Sequence, residues 1–169
     1  MRTVVGPEPV VQAWLDQRRA PGQDGRDEVW QGTCHVAPHE HARNGVVAMG
    51  LAHLLRAPAQ AAGLRAGGAF NLGQPDDFRV PDLGFHREPP DRLYVPSAPL
   101  VVEVLSPDDE TFEKSSFYAG RDVEELWVAD PVERSIRMWG LRDGTYEPVD
   151  RSSLLGVTAR RVVEDLDWP

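Results

Sequence analysis

The stretch Pro99-Leu-Val-Val-Glu-Val-Leu-Ser106 constrains this chain more than any other. Apolar residues on both sides of a single carboxylate read as a strand buried on at least one face. Alternation puts Val101, Glu103 and Leu105 on one face and Val102 and Val104 on the other. A carboxylate there either faces water from an edge strand or is held by a partner, because burying an unpaired charge is costly.

The rest of the chain supplies helices and further strands around it. Residues 7–19 read as a helix that starts at Pro7 and Pro9, with an apolar stripe of Val10, Val11, Trp14 and Leu15. Residues 20–27 are a Pro/Gly/Asp linker, and 28–38 a strand pair or bent strand ending at Pro38. The longest helix is expected over 39–63, with Val47, Leu51, Leu54 and Leu55 on its buried face, Pro58 kinking or ending it and Gly63 as its stop. Short strands follow at 67–73 and 79–86, with a turn at 74–78 and a proline-rich loop at 87–98. Residues 107–111 cap a helix through about Arg121. Segments 124–130, 134–141 and 145–150 read as an antiparallel meander turned at Asp130-Pro131 and Asp143-Gly144, and the tail from Ser152 as a last strand that packs Trp168. The expectation is an α/β (α+β) chain with a mixed sheet and helices against it. An N-terminal helix and linker over 1–27 precede a single globular domain over 28–169.

The chain has 169 residues and a net charge of −9, which argues against broad, sequence-blind affinity for nucleic acid. An enzyme acting on DNA would have to offset that charge locally, with cations and gathered arginines; Arg43, Arg79, Arg87, Arg92 and Arg121 are the candidates. No apolar run reaches the roughly 18 residues of a membrane span. The N-terminus lacks the basic start and apolar stretch of a secretory signal, and Cys34 is the single cysteine, so a reducing, cytoplasmic setting is expected.

Of 18 basic residues, 17 are arginine, and the remaining one (18 − 17) is Lys114. A lone lysine hints at a place where a compact, deprotonatable ammonium is needed; coding bias would leave the same trace. It lies 11 residues after Glu103 (114 − 103), near a helix start where a cation is electrostatically disfavoured. Its other reading is an exposed pair with Glu110. Asp82, in a short strand just before the Glu103 strand, can pair with it as a hairpin and bring two carboxylates to one hard cation. Cys34, His35, His39 and His41 have no standard zinc spacing. His53 reads as a helix-surface residue and His86 as a solvated strand end that could touch substrate. Trp30, Trp127 and Trp139 read as packing residues.

The strings PD (81–82), EVLSP (103–107), ETFEKSSFY (110–118) and VEELWVADP (123–131) together resemble the Uma-type restriction-endonuclease family, a branch of the PD-(D/E)xK nuclease superfamily. The resemblance runs from about Glu28 to Leu155 and implies a restriction-endonuclease-like core. It makes Asp82 the motif aspartate and Glu103 the motif acid. The superfamily lysine stands two residues beyond the acid, where this chain has Leu105. Uma-type proteins carry it on the next helix, and Lys114 matches that position. His41 resembles a family histidine of unassigned role. Glu28 and Gly32 resemble an early acid-glycine segment, although Thr33 stands where an acid often follows.

The resemblance implies a divalent-metal-dependent phosphodiester hydrolase, a DNA endonuclease. Mg²⁺ or Mn²⁺ would be bound by Asp82, Glu103 and the Val104 carbonyl, and Lys114 would orient or deprotonate a water. The rival reading is a non-catalytic nuclease-fold module for binding or structure, which the acidic charge and missing DNA-reading element favour. RNA is an alternative substrate. A homodimer is compatible with either reading, and nothing in the sequence selects it.

Overall fold

The computed structural model describes residues 2–4, 9–22, 24–37, 41–106 and 111–169. In chain order these form β1 (Arg2–Val4), α1 (Pro9–Arg19), β2 (Glu28–Trp30), β3 (Thr33–Val36), α2 (Ala42–Leu54), α3 (Arg56–Ala61), β4 (Arg65–Gly67), β5 (Asn71–Gln74), β6 (Asp77–Arg79), β7 (Leu83–His86), β8 (Tyr94–Val95) and β9 (Leu100–Val104). A 3₁₀ turn (Thr111–Lys114) then leads into α4 (Ser115–Ala119), followed by β10 (Glu125–Asp130), β11 (Ser135–Arg142), β12 (Thr145–Val149) and α5 (Ala159–Asp165). The strands make two six-stranded sheets, β1-β3-β2-β6-β5-β8 and β12-β11-β10-β9-β7-β4. The fold is mixed α+β, as the pattern predicts.

The apolar strand is central. β9 lies between β7, antiparallel, and β10, parallel, and all five of its residues are buried. Leu100, Val102 and Val104 face the main core, against Val47, Leu51 and Leu55 of the α2 region and Val162 and Leu166 of the α5 region. Val101 faces a second cluster with Leu72, Ala98, Tyr118, Val123 and Leu126. Each such buried aliphatic side chain contributes about 1.5–3 kcal/mol. Glu103 shares the Val101 face, so the edge-strand reading falls.

The structure departs from the sequence expectation in several places. The long helix divides at Leu55, not at Pro58: Leu55 has φ −86° and ψ −1°, and Pro58 sits in the first turn of α3, where its missing N–H costs nothing. No residue of α1 is buried; Val10 is 80% and Trp14 40% exposed, so its apolar stripe does not face a core. Pro7 and Pro38 lie outside the described residues. The first strand after the helices begins at Arg65, and 71–79 is a β5–β6 hairpin. The proline-rich loop contains β8, which pairs parallel with β5. The tail forms α5, not a strand: Thr158 caps it by accepting from the Arg161 N–H at 3.2 Å, and only an Arg151–Thr158 bridge is sheet-like. Trp168 does pack on the main core. The 28–36 hairpin and the β10–β11–β12 meander form as expected. Gln31 (φ 48°) with Gly32 (φ 82°), and Asp143 (φ 47°) with Gly144 (φ 78°), supply the left-handed turn residues.

Candidate active site

Four elements converge on Glu103. β9 supplies the carboxylate, which is 3% exposed. The 3₁₀ turn supplies Lys114, whose Nζ lies 3.2 Å from Glu103 Oε1 and 2.9 Å from Glu28 Oε1. β2 of the other sheet supplies Glu28. α4 supplies Tyr118, four positions after Lys114 and so on the same side of the helical path, whose hydroxyl donates to Glu103 Oε1. Among the described residues, Glu103 Oε2 takes part in none of these bonds.

Lys114 is 6% exposed and bridges carboxylates from two sheets. The reading of it as a solvated partner of Glu110 is therefore excluded by its burial; Glu110 itself lies outside the described residues. A cation at an electrostatically poor place on its own helix is explained by the two carboxylates facing it.

Asp82 does not lie within a continuous strand over 79–86. β6 ends at Arg79 and β7 begins at Leu83, with Pro81 in the bend between them. Proline cannot donate to a ladder, so the strand breaks there. The β7–β9 register pairs Leu83 with Val102, which brings the preceding residue, Asp82, opposite Glu103. Asp82 Oδ2 accepts from the Val104 N–H at 2.7 Å, and Oδ1 from Arg26 at 2.9 Å. A side chain thus takes the ladder bond that the interrupted strand does not.

Glu28 is the participant that sequence reasoning left without a role. It is 1% exposed; Oε1 accepts from the Val80 N–H at 2.8 Å and Oε2 from the Trp30 indole at 2.7 Å. Its signal was a carboxylate opening a short apolar strand at the start of the motif-bearing region. Tyr118 was visible only as part of the FY string. Trp30 does more than pack: besides holding Glu28, it stacks on His35 at 4.3 Å and lies under the Arg79 guanidinium, also at 4.3 Å.

Burial, and then the neighbouring Asp82 and Glu28 charges, push the Glu103 carboxyl up to about 8; the Lys114 ammonium and the Tyr118 hydrogen bond oppose that rise. Burial and the Glu103 and Glu28 charges likewise hold the Tyr118 hydroxyl well above its ordinary range. These shifts describe carboxylates crowded around one ammonium in a dry place.

Other residues have different places from those expected. Arg79 is 5% exposed, clamped between Trp30 and Phe117 (4.1 Å) and bonded to the Val29 carbonyl, so it is not a free phosphate contact. Desolvation lowers its pKa. Arg121 pairs with Asp77 and lies over Phe117; Arg87 pairs with Glu124. His86 is 5% exposed and packs edge-on against Phe70, with burial lowering its pKa, so it is not a solvated strand end. His53 is exposed on α2, as expected. His41 caps α2, its Nδ1 accepting from the Arg43 N–H at 3.2 Å. His39 lies outside the described residues. Among the described residues no three His, Cys, Asp or Glu side chains form a ready-made metal cage, which leaves the zinc reading without support. No described helix is long and apolar enough to cross a membrane.

Among curated proteins, none matches the sequence. The fold is similar to the crystal structure of "a putative nuclease belonging to DUF820" from Anabaena variabilis, with a TM-score of 0.67 and 14% identity, over 82% of this chain and 90% of that one. At that identity the likeness speaks for the fold. The sequence itself matches the Uma2 family, described as "Putative restriction endonuclease", over residues 14–166. That span is most of the chain, so the chain belongs to the Uma2 family.

Proposed function

We propose that this chain is a divalent-cation-dependent phosphodiester hydrolase acting on DNA, with Mg²⁺ or Mn²⁺ as its cofactor. The observation that carries the reading is the single lysine, buried between Glu28 and Glu103 from two different sheets. Structural economy does not require such a residue, and a buried ion cluster is a poor route to stability. Membership of a nuclease family supports the same chemistry.

The donor set suits a small divalent cation. Asp82, Glu103 and the Val104 carbonyl are hard oxygens, and two carboxylates with waters are what Mg²⁺ ordinarily takes. A carboxyl held at about 8 also gains from a counter-charge. When bound, the cation polarises the scissile phosphate and lowers the pKa of an attacking water. Tyr118 and Lys114 fix Glu103 through Oε1, and neither bond uses Oε2. Glu28, itself held by Val80 and Trp30, orients the ammonium. Lys114 then orients the water or takes part in moving its proton, and offsets charge at phosphorus.

The test is nicking of supercoiled plasmid with Mg²⁺, Mn²⁺ or EDTA. Asp82→Asn, Glu103→Gln and Lys114→Met should each cut nicking by about 10²-fold or more. Lys114→Arg should fail similarly, because a permanently charged planar fork cannot take a proton or fit between the glutamates. Lys114→Met and Lys114→Ala both strand two buried carboxylates and should each lose roughly 3–5 kcal/mol of stability, so both are assayed below their melts, and Met is preferred because it leaves no cavity. Undiminished cutting by Lys114→Met would refute the role of Lys114.

A second reading is a non-catalytic binding or structural module. It is favoured by the self-neutralised site, in which Arg26 covers Asp82 and Lys114 covers both glutamates. A wild type that fails to nick with either Mg²⁺ or Mn²⁺ at any concentration would select it. A cytoplasmic location belongs to the same proposal, on the strength of the lone Cys34.

A further inference from the structure

One buried polar side chain beside the site is incompletely used. Asn44 is 2% exposed, in the first turn of α2. Its Nδ2 lies 2.7 Å from Ser106 Oγ, 3.3 Å from the Leu105 carbonyl and 3.4 Å from the Val104 carbonyl. Its Oδ1 is buried and, among the described residues, has no hydrogen-bond partner. A buried amide oxygen left unpaired costs about 1–3 kcal/mol, and native proteins keep such atoms where water or an ion completes them.

Its position is set from both sides. His41 fixes the helix start, and the Asn44 N–H donates to the His41 carbonyl at 2.8 Å. The following turns of the same helix bury Val47, Ala48 and Leu51 in the main core, so an amide at 44 interrupts an otherwise apolar face. What it meets is the end of β9, at the residues directly after Glu103. The Val104 backbone is thereby held twice: its N–H by Asp82 and its carbonyl by Asn44.

We propose that Asn44 is a positioning residue for the cation site: Nδ2 aims the Val104 carbonyl, and Oδ1 accepts a hydrogen bond from a water held at the cation. This rests on the cation-dependent reading above. Outer-shell partners of this kind orient first-shell ligands, and their loss commonly weakens metal binding about 10–100-fold.

The test is Mn²⁺ binding to the full chain, read from the free Mn²⁺ signal in electron paramagnetic resonance, with thermal melts run alongside. Asn44→Leu keeps the volume and removes the orphan oxygen; it should fold, melting within a few degrees of wild type, and bind Mn²⁺ at least about tenfold more weakly. Asn44→Ala, assayed well below its melt, should show the same loss. Ser106→Ala removes one acceptor of Nδ2 and leaves the carbonyls, so its Mn²⁺ affinity should stay within about threefold of wild type by the same outer-shell reasoning. Variants that lower the melt but bind Mn²⁺ like wild type would overturn the inference and leave the cation-dependent reading standing. A wild type that binds no Mn²⁺ would overturn both.

Discussion

Glu103 concentrates the physical chemistry of the site in one side chain. Its carboxyl titrates at about 8 in the folded chain and near 4.5 when exposed. Between those values the folded state holds a proton that the unfolded state has released. This group's contribution to stability is therefore greatest below about pH 4.5 and declines as pH rises toward 8. Glu103→Gln removes the charge without changing the shape. In EDTA it should melt several degrees above wild type at pH 8.5, on a scale where 1 kcal/mol is about 2–4 °C, and the gap should close near pH 5. A gap of the same size at both pH values would mean that the carboxyl is not the source of the dependence. The same substitution removes catalysis in the proposed function, so the site sacrifices stability for chemistry at a single residue.

At the scale of elements, a second buried carboxylate works in the opposite way. Glu125, at the start of β10, is 1% exposed and accepts from the Trp127 indole, both serine hydroxyls of Ser152 and Ser153, and the backbone N–H groups of Ser153 and Leu154. These donors tie the segment before α5 to the central strands. Glu125 belongs to the VEELWVADP string but touches none of the Glu103 cluster's partners in that list. Its role is to anchor the C-terminal helix on the sheet. Glu125→Ala leaves several buried donors without an acceptor and should cost about 2–4 kcal/mol in urea unfolding, with nicking retained below the melt. Unchanged stability would show that the tail holds itself.

At the scale of the molecule, the net charge of −9 bears on the proposed DNA substrate, which it repels. Of the arginines expected to gather at the site, Arg79 is buried in a stack, and Arg121 and Arg87 already have acidic partners. Arg26, which was not among them, pairs with Asp82. Of the five candidates that leaves Arg43 and Arg92, so under the proposed function affinity for DNA must come largely from the cation. In EDTA near physiological salt, retention of duplex DNA should be negligible. Non-hydrolysing Ca²⁺ should raise it at least about tenfold, equivalent to 1.4 kcal/mol. Equal binding in EDTA and Ca²⁺ would contradict this.

The apolar run around Glu103, the two glycine-containing hairpin turns and the lone lysine were legible in the chain, because periodicity, left-handed turn residues and composition are local properties. They determined a mixed fold, a buried acid strand and the identity of its cation. Three things were decided only in three dimensions. The helix breaks at Leu55, three residues before the proline, and the tail became α5, which puts Val162, with Leu166 just after it, into the main core. Glu28, Lys114 and Tyr118 meet around Glu103 across 11 to 75 residues of sequence (114 − 103 and 103 − 28), and only the apposition of the two sheets brings them together. No spacing rule encodes that meeting, since it depends on which faces bury against each other and on where each strand stops.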